Sequence, residues 1–475
     1  MKNQTKISKP EGHTRVQWAV AVLVCMSVFT YGLQCGWVSP MSKILQSSES
    51  PAGRPLTDTE LSLIAGIPSL SAICGILILL YVVDTFGRKR AIFVMAGFQL
   101  ICWIIKLCPA NPTSLIAARI ISGLGAGGCF HVVPMYIKEI SEDNIRGTLG
   151  SMMILAQNLG ILTMYAMGGY LDYHTVLYLV VGLPVLTIAM LIRAPESPSF
   201  LVKMGKIEEA AANIALLRGL DVSHKQVQVE INAIKNEDDY FQSIPNVSFL
   251  NIFNDKAWRK GFLIMLVIII IHGLNGAFCV VNYASILLAD SEIQISSELQ
   301  TLSIPVFLII GTSITMSLVD RLGRKFLLGV TFIISSFTFT GLASITWLRD
   351  NGCATPAWLP ILALLMTVCC YGAGVSPIPF IIMSELFNFQ IRAKLMACLC
   401  MVAWLMSFIQ LTGFTAITSS LGVYVSFYIF AALNLLGAIV VYVLLPETRG
   451  KSVDEIEGEL RTQNVIVDHK NITNV

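Results

Sequence analysis

Ionisable side chains are scarce where this chain is most apolar, so the few that occur there are the first candidates for chemistry. Arg119, His131, Glu139 and His272 lie within or at the edge of long hydrophobic runs. Charge in hydrocarbon is costly, and its presence points to pairing, sensing or a solute pathway. The histidines could titrate near neutral pH, although a hydrogen bond to a neighbouring helix is the expected role of His131. Other chemistries lack their parts. No nucleophile–base pair stands out and no soluble catalytic domain accompanies the apolar runs, so no catalytic residue is assigned and no enzyme is expected. Most of the twelve cysteines, among them Cys25, Cys74, Cys102, Cys369, Cys370, Cys398 and Cys400, sit inside apolar runs and read as small hydrophobes. No Cys-x-x-Cys pair stands near matching ligands, so neither a metal nor another cofactor is expected. Gly123, Gly125, Gly127 and Gly128 lack the Lys-Ser/Thr ending of a phosphate loop and instead let helices approach closely.

Acids and bases also recur in register. Asp84-Thr85-Phe86-Gly87-Arg88-Lys89-Arg90 is echoed by Asp320-Arg321-Leu322-Gly323-Arg324-Lys325. Glu139 and Arg146 are echoed at the same spacing by Glu385 and Arg392, and Pro195-Glu196-Ser197-Pro198 by Pro446-Glu447-Thr448-Arg449-Gly450. Three such pairs signal an internal duplication. Charges repeated at equivalent helix ends suit a latch that holds two halves together when one side is shut and parts when it opens.

The elements that position these residues follow from composition. Of 475 residues, 55% are hydrophobic and 13% charged, with mean hydropathy +0.71. A soluble fold cannot hide so much apolar surface, so most of it faces lipid. A net charge of +2 leaves no basic footprint for nucleic acid. Twelve stretches are long enough to span a bilayer, predicting an all-α membrane protein of two pseudo-symmetric six-helix bundles. The expected divisions are an N-terminal tail at 1–16, bundles at 17–193 and 261–445, a linker with short helices at 194–260, and a C-terminal tail at 446–475. With both termini cytoplasmic, 27 of the 32 lysines and arginines fall on the inner side, as the positive-inside rule requires. Halves of this kind suit transport by rocking about a central site.

At these motifs the chain resembles the sugar porters of the major facilitator superfamily. Arg119-x-x-x-Gly123, Pro134-x-Tyr136-x-x-Glu139, Pro377-x-Pro379 and Glu385-Leu386-Phe387 add to the likeness. Gly32-x-x-x-Gly36-Trp37-x-Ser39-Pro40 is similar to the insect facilitated trehalose transporter branch. The resemblance implies the major facilitator fold and a plasma-membrane carrier, monomeric among membrane lipid, moving trehalose or a hexose by uniport. It also implies a cytoplasmic salt-bridge network of Asp84, Arg88, Glu139, Arg146, Asp320, Arg324, Glu385 and Arg392, with Glu196 and Glu447 in the matching motifs.

The solute cavity departs from the family. Its span 7 Gln-Gln-x-x-Gly-x-Asn reads His272-Gly273-Leu274-Asn275-Gly276-Ala277-Phe278 here. Ile154, Leu308 and Ala403 stand where the family keeps amides, and Phe380 where it keeps tryptophan. A buried sugar hydroxyl without a partner costs ~1–3 kcal/mol, so other groups must substitute. The expected replacements are Gln157, Asn158, His272, Asn275, Asn282 and Gln410, with Phe380 and Trp404 as stacking faces and Tyr283 keeping the family's aromatic. Proton-coupled members place an aspartate in span 1 where this chain has Val38, and that span holds no carboxylate. Downhill transport is therefore expected. A transport-dead sensor or accessory protein, or a carrier of a less hydroxylated solute, is the alternative.

Overall fold

A computed structural model describes residues 12–108, 111–243, 254–288, 296–387 and 389–462. Among the described residues, twelve helices are long and apolar enough to cross a membrane. In chain order, spans 1 to 6 are Arg15–Leu45, Asp58–Phe86, Arg88–Leu107, Pro112–Ile140, Asn144–Tyr170 and Tyr173–Leu191. Spans 7 to 12 are Lys256–Leu287, Ser297–Leu322, Arg324–Asp350, Trp358–Leu386, Ile391–Leu421 and Val423–Leu444. They form two pseudo-symmetric six-helix bundles. Within the first, span 1 packs on span 5 and span 2 on span 4; within the second, span 9 packs on span 12. Between bundles, span 2 meets span 11, span 5 meets span 8, and span 1 meets span 7.

Helix starts are fixed locally. Thr57 and Glu60 form a reciprocal capping box at span 2, and Asn111 and Ser114 do the same ahead of Pro112 at span 4. Among its described residues the linker contains three helices, Pro198–Lys203, Ile207–Arg218 and Lys225–Ser243. It docks on the first bundle, where Arg218 pairs with Glu230 and donates to the Ile140 carbonyl at 2.8 Å. The tail helix Val453–Thr462 docks on the second, through Arg461–Asp255 at 2.9 Å and Trp258 Nε1 to Glu457 at 2.9 Å. We call this side the linker face and its opposite the far face. Residues 1–11 and 463–475, the outer parts of the two tails, lie outside the described residues.

Four of the described spans are interrupted, span 1 at Trp37, span 4 at Phe130–His131, span 7 and span 10, and in the last two the sequence names the menders. Span 7 ends one helix at Gly273 and restarts at Ala277, with a positive φ of 96° at Gly276. Hydrocarbon offers no hydrogen bonds to freed backbone groups, so side chains must. The Asn275 carboxamide donates to the His272 carbonyl and accepts from the Ala277 N–H at 2.7 Å. Asn434 of span 12 donates to the Asn275 carbonyl at 2.8 Å. In span 10 a π-helical turn covers Tyr371–Val375 and precedes Pro377-Ile378-Pro379. Pro379 has no N–H for the Val375 carbonyl four residues back, and His272 Nδ1 reaches that carbonyl at 2.9 Å. A carbonyl only accepts, so Nδ1 carries the proton.

These bonds predict the cost of losing them. Asn434→Leu leaves the freed carbonyl of Asn275 unpaired in a dry interior. The expected loss is about 1–3 kcal/mol, read as a lower unfolding temperature of the purified protein in detergent. An unchanged transition would contradict the role given to Asn434.

Candidate functional site

The repeated motifs build two matching clamps at the linker face. Spans 3 and 9 begin with Arg88-Lys89 and Arg324-Lys325, cations at the positive end of a helix, an unfavourable placement by itself. Glu196 offsets it by accepting from the backbone N–H groups of Arg88 and Lys89, both at 3.0 Å. Glu447 does the same for Arg324 and Lys325, both at 3.1 Å. The glycines before these helices are required twice over. Gly87 and Gly323 have φ of 100° and 91°, and a Cβ there would lie 2.6 and 2.7 Å from the carboxylate oxygens of Glu196 and Glu447.

Above each clamp sits one ion pair. Arg88 reaches Glu139 at 2.7 Å and Arg324 reaches Glu385 at 2.9 Å. The hydroxyls of Ser197 and Thr448 donate to the same two glutamates. Arg146 and Arg392 each turn back to a carbonyl five residues earlier, Ser141 at 3.4 Å and Phe387 at 3.0 Å. Asp320 touches Arg324 at 3.0 Å but is 81% exposed, so that contact is worth little. Asp84 is exposed and its equivalent contact is not made among the described residues. The sequence suggested a latch joining the halves. In this conformer each described pair instead stays inside one half, because the arginine and its glutamate sit on consecutive spans of the same repeat.

Among the described residues, side-chain hydrogen bonds join the halves at mid-membrane and toward the far face. Ser42 Oγ is 2.9 Å from Ser285 Oγ, the Ser285 N–H donates to Ser39 Oγ at 3.1 Å, and Ser285 Oγ donates to the Ser39 carbonyl. Tyr165 donates to the Val281 carbonyl, and Thr415 to Ser62 at 2.8 Å. Deeper, Asn158 donates to Thr312 Oγ1 at 2.8 Å. Toward the linker face the halves meet through rings: Phe130 stacks on Phe380 with centroids 6.5 Å apart, and Trp404 lies 6.3 Å from Tyr31.

Between these layers are two cavities that share Phe278. One, of about 40 Å³, is lined by Ile154, Gln157, Asn158, Leu308, Thr312 and Tyr371 among others. The second, of about 20 Å³ in this conformer, is lined by Tyr31, Gln34, Ser69, Arg119, Asn282 and Trp404 among others. Gln157 and Asn158 thus face one cavity and Asn282 and Trp404 the other, whereas Phe380 lies off both linings, packed on Phe130 and His272. His272 and Asn275 are buried at the break of span 7, off both linings; the His272 ring stacks on Tyr371 with centroids 6.3 Å apart. Tyr283 donates to the Leu411 carbonyl at 3.3 Å and stacks on Phe414. Gln410 is buried, and neither of its amide atoms has a hydrogen-bond partner. Gln34 did not stand out in the sequence. The available signal was a lone amide in an apolar run, and its partners are remote along the chain. Arg119 donates to the Ile64 carbonyl at 2.8 Å and the Gln34 carbonyl at 2.9 Å.

Duplicated six-helix bundles with broken spans around a mid-membrane cavity define a secondary transporter architecture. The chain belongs to the sugar (and other) transporter family, whose model matches residues 20–460. Among curated relatives, the facilitated trehalose transporter Tret1 of Culex quinquefasciatus is 27% identical over 94% of this chain and 86% of its own. That of Anopheles gambiae is 28% identical over 94% of this chain, which spans only 56% of the longer relative. Among solved structures, the inward open xylose transporter XylE from E. coli matches with a TM-score of 0.77 at 20% identity, covering 93% of this chain and 99% of that one. An auto-inhibited peptide transporter of the POT family matches more distantly, with a TM-score of 0.61 at 12% identity over 90% of this chain and 96% of its own. The shared fold is that of the major facilitators.

The clamps predict parallel losses in the two halves. Glu447→Ala or Glu196→Ala removes charge-assisted bonds to a helix start and leaves basic residues against the dipole. Each should cost roughly 2–4 kcal/mol, and the double variant their sum, since the sites belong to separate halves. Thermal unfolding followed by tryptophan fluorescence measures this. A loss confined to one half would contradict the equivalence.

Proposed function

We propose that this protein is a facilitative carrier of a sugar, trehalose or a hexose, working as a uniporter by alternating access in the plasma membrane, with the linker face cytoplasmic. The observation that carries the reading is the distribution of contacts around the cavities. Hydrogen bonds join the halves at mid-membrane and toward the far face, while the linker-face clamps are complete within each half. Such halves can part on either side of a central solute without breaking their own frames. Amide capacity at Gln34 beside the rings of Tyr31 and Trp404, and at Gln157 beside Tyr371 in the neighbouring cavity, suits a polyol, which needs both hydrogen bonds and flat apolar faces. The trehalose transporters among the relatives support the same solute class. No carboxylate lines either cavity, which supports transport uncoupled from protons.

Oocytes expressing the protein should take up labelled trehalose or glucose saturably. Glu385→Ala should lower the rate at least about tenfold, the equivalent of ~1.4 kcal/mol on the barrier. Uptake should ignore an imposed pH gradient and stop at equal concentrations. Accumulation against a gradient would contradict the uniport reading. Normal surface expression without uptake of either sugar would replace the carrier with a sensor or accessory protein.

A further inference from the structure

Lys106 is a buried cation of the first bundle. It lies at the far end of span 3, fully buried, with no carboxylate among its described contacts. Its ammonium sits 3.8 Å from the ring centroid of Trp37 and 4.2 Å from that of Trp103, contacts that soften the cost of burial but do not explain it. Its one described hydrogen bond goes to Gln34 Oε1 at 2.9 Å. An ammonium has donors only, so it dictates which end of the amide faces it. The oxygen is turned to Lys106 and the NH₂ must point away. The backbone of the same residue is held by Arg119 Nη1. Gln34 is therefore pinned at both ends by buried cations.

The NH₂ held in this way is buried and has no hydrogen-bond partner, and Gln34 lines the smaller cavity beside Arg119 and Asn282. An unsatisfied buried donor is disfavoured, and an acceptor entering the cavity removes that penalty. We propose that Gln34 Nε2 is a solute-contacting donor, that Lys106 is the residue that positions it, and that the matching solute atom is an acceptor oxygen, a sugar hydroxyl or a sugar-acid carboxylate. The proposal rests on the reading of the inter-half cavities as the transport site. It supplies one amide that the departures at Ile154, Leu308 and Ala403 remove.

The test uses full-length protein and three probes: trehalose, glucose and glucuronate. Gln34→Leu should raise the KM for uptake by about 3- to 10-fold, the worth of one hydrogen bond, with kcat little changed. Gln34→Glu should keep or raise the unfolding temperature, since the carboxylate pairs with Lys106. It should nevertheless raise KM more than Gln34→Leu, because it shows the cavity an oxygen in place of the NH₂. Lys106→Met should raise KM and Lys106→Arg should preserve it, a pattern that a purely structural lysine would not give. A larger effect on glucuronate than on the neutral sugars assigns the acceptor as a carboxylate; an effect on the neutral sugars alone assigns it as a hydroxyl. Wild-type uptake with unaltered KM in Gln34→Leu and Gln34→Glu overturns the proposal and leaves the carrier reading intact. Should wild type transport none of the probes, the carrier reading falls, and probe-induced thermal stabilisation of the purified protein then decides on Gln34. Stabilisation lost in Gln34→Glu supports the proposal, and its absence in wild type overturns it.

Discussion

Lipid tails neither donate nor accept hydrogen bonds, and the polar features of this protein follow from that constraint. Span 7 can break because Asn275 and Asn434 take over the freed backbone groups. Span 10 can carry Pro379 because His272 supplies the missing donor. Spans 3 and 9 can begin with adjacent cations because a glutamate from the following motif is seated on their first N–H groups. A buried lysine is tolerated because two indoles and an amide surround it. Among the buried polar groups left without a partner, the Gln34 amide lines a cavity between the halves and is the one placed to meet a solute.

The strength of each contact also separates what moves from what stays rigid. The pairs Arg88–Glu139 and Arg324–Glu385 are partly buried and reinforced by a hydroxyl and by neighbouring backbone bonds. Removing one partner of such a pair is expensive, ~3–5 kcal/mol when burial is deep. The far-side contacts among Ser39, Ser42 and Ser285 are neutral and worth ~1 kcal/mol each. A movement that breaks the serine contacts while leaving the clamps intact is the inexpensive one. Each half then behaves as a body with its own frame, and the cavities lie at the seam between the two.

Much of this was legible in the sequence. Twelve spans, the duplication, the linker helices and the paired motifs follow from hydropathy and from residues in register. What periodicity could not resolve is which way a polar residue in an apolar run faces. His272 and Asn275 stand in the stretch where the family's solute ligands lie, yet here they mend helix breaks, because the prolines of span 10 and the kink at Gly276 claim them first. The ion pairs presented the same difficulty: equal spacing revealed two copies of one motif, and whether partners lie within a copy or across copies depends on packing. Gln34 stayed hidden because its meaning comes from Lys106, 72 residues away.

Alternating access requires the two halves to part at the far face during each cycle. Replacing Ser42 and Ser285, whose hydroxyls are 2.9 Å apart, by cysteines places a removable lock across that seam. Oxidation of the Ser42→Cys, Ser285→Cys double variant should abolish sugar uptake, and reduction should restore it, with both single variants unaffected by either treatment. Undiminished uptake by fully cross-linked protein would contradict the account.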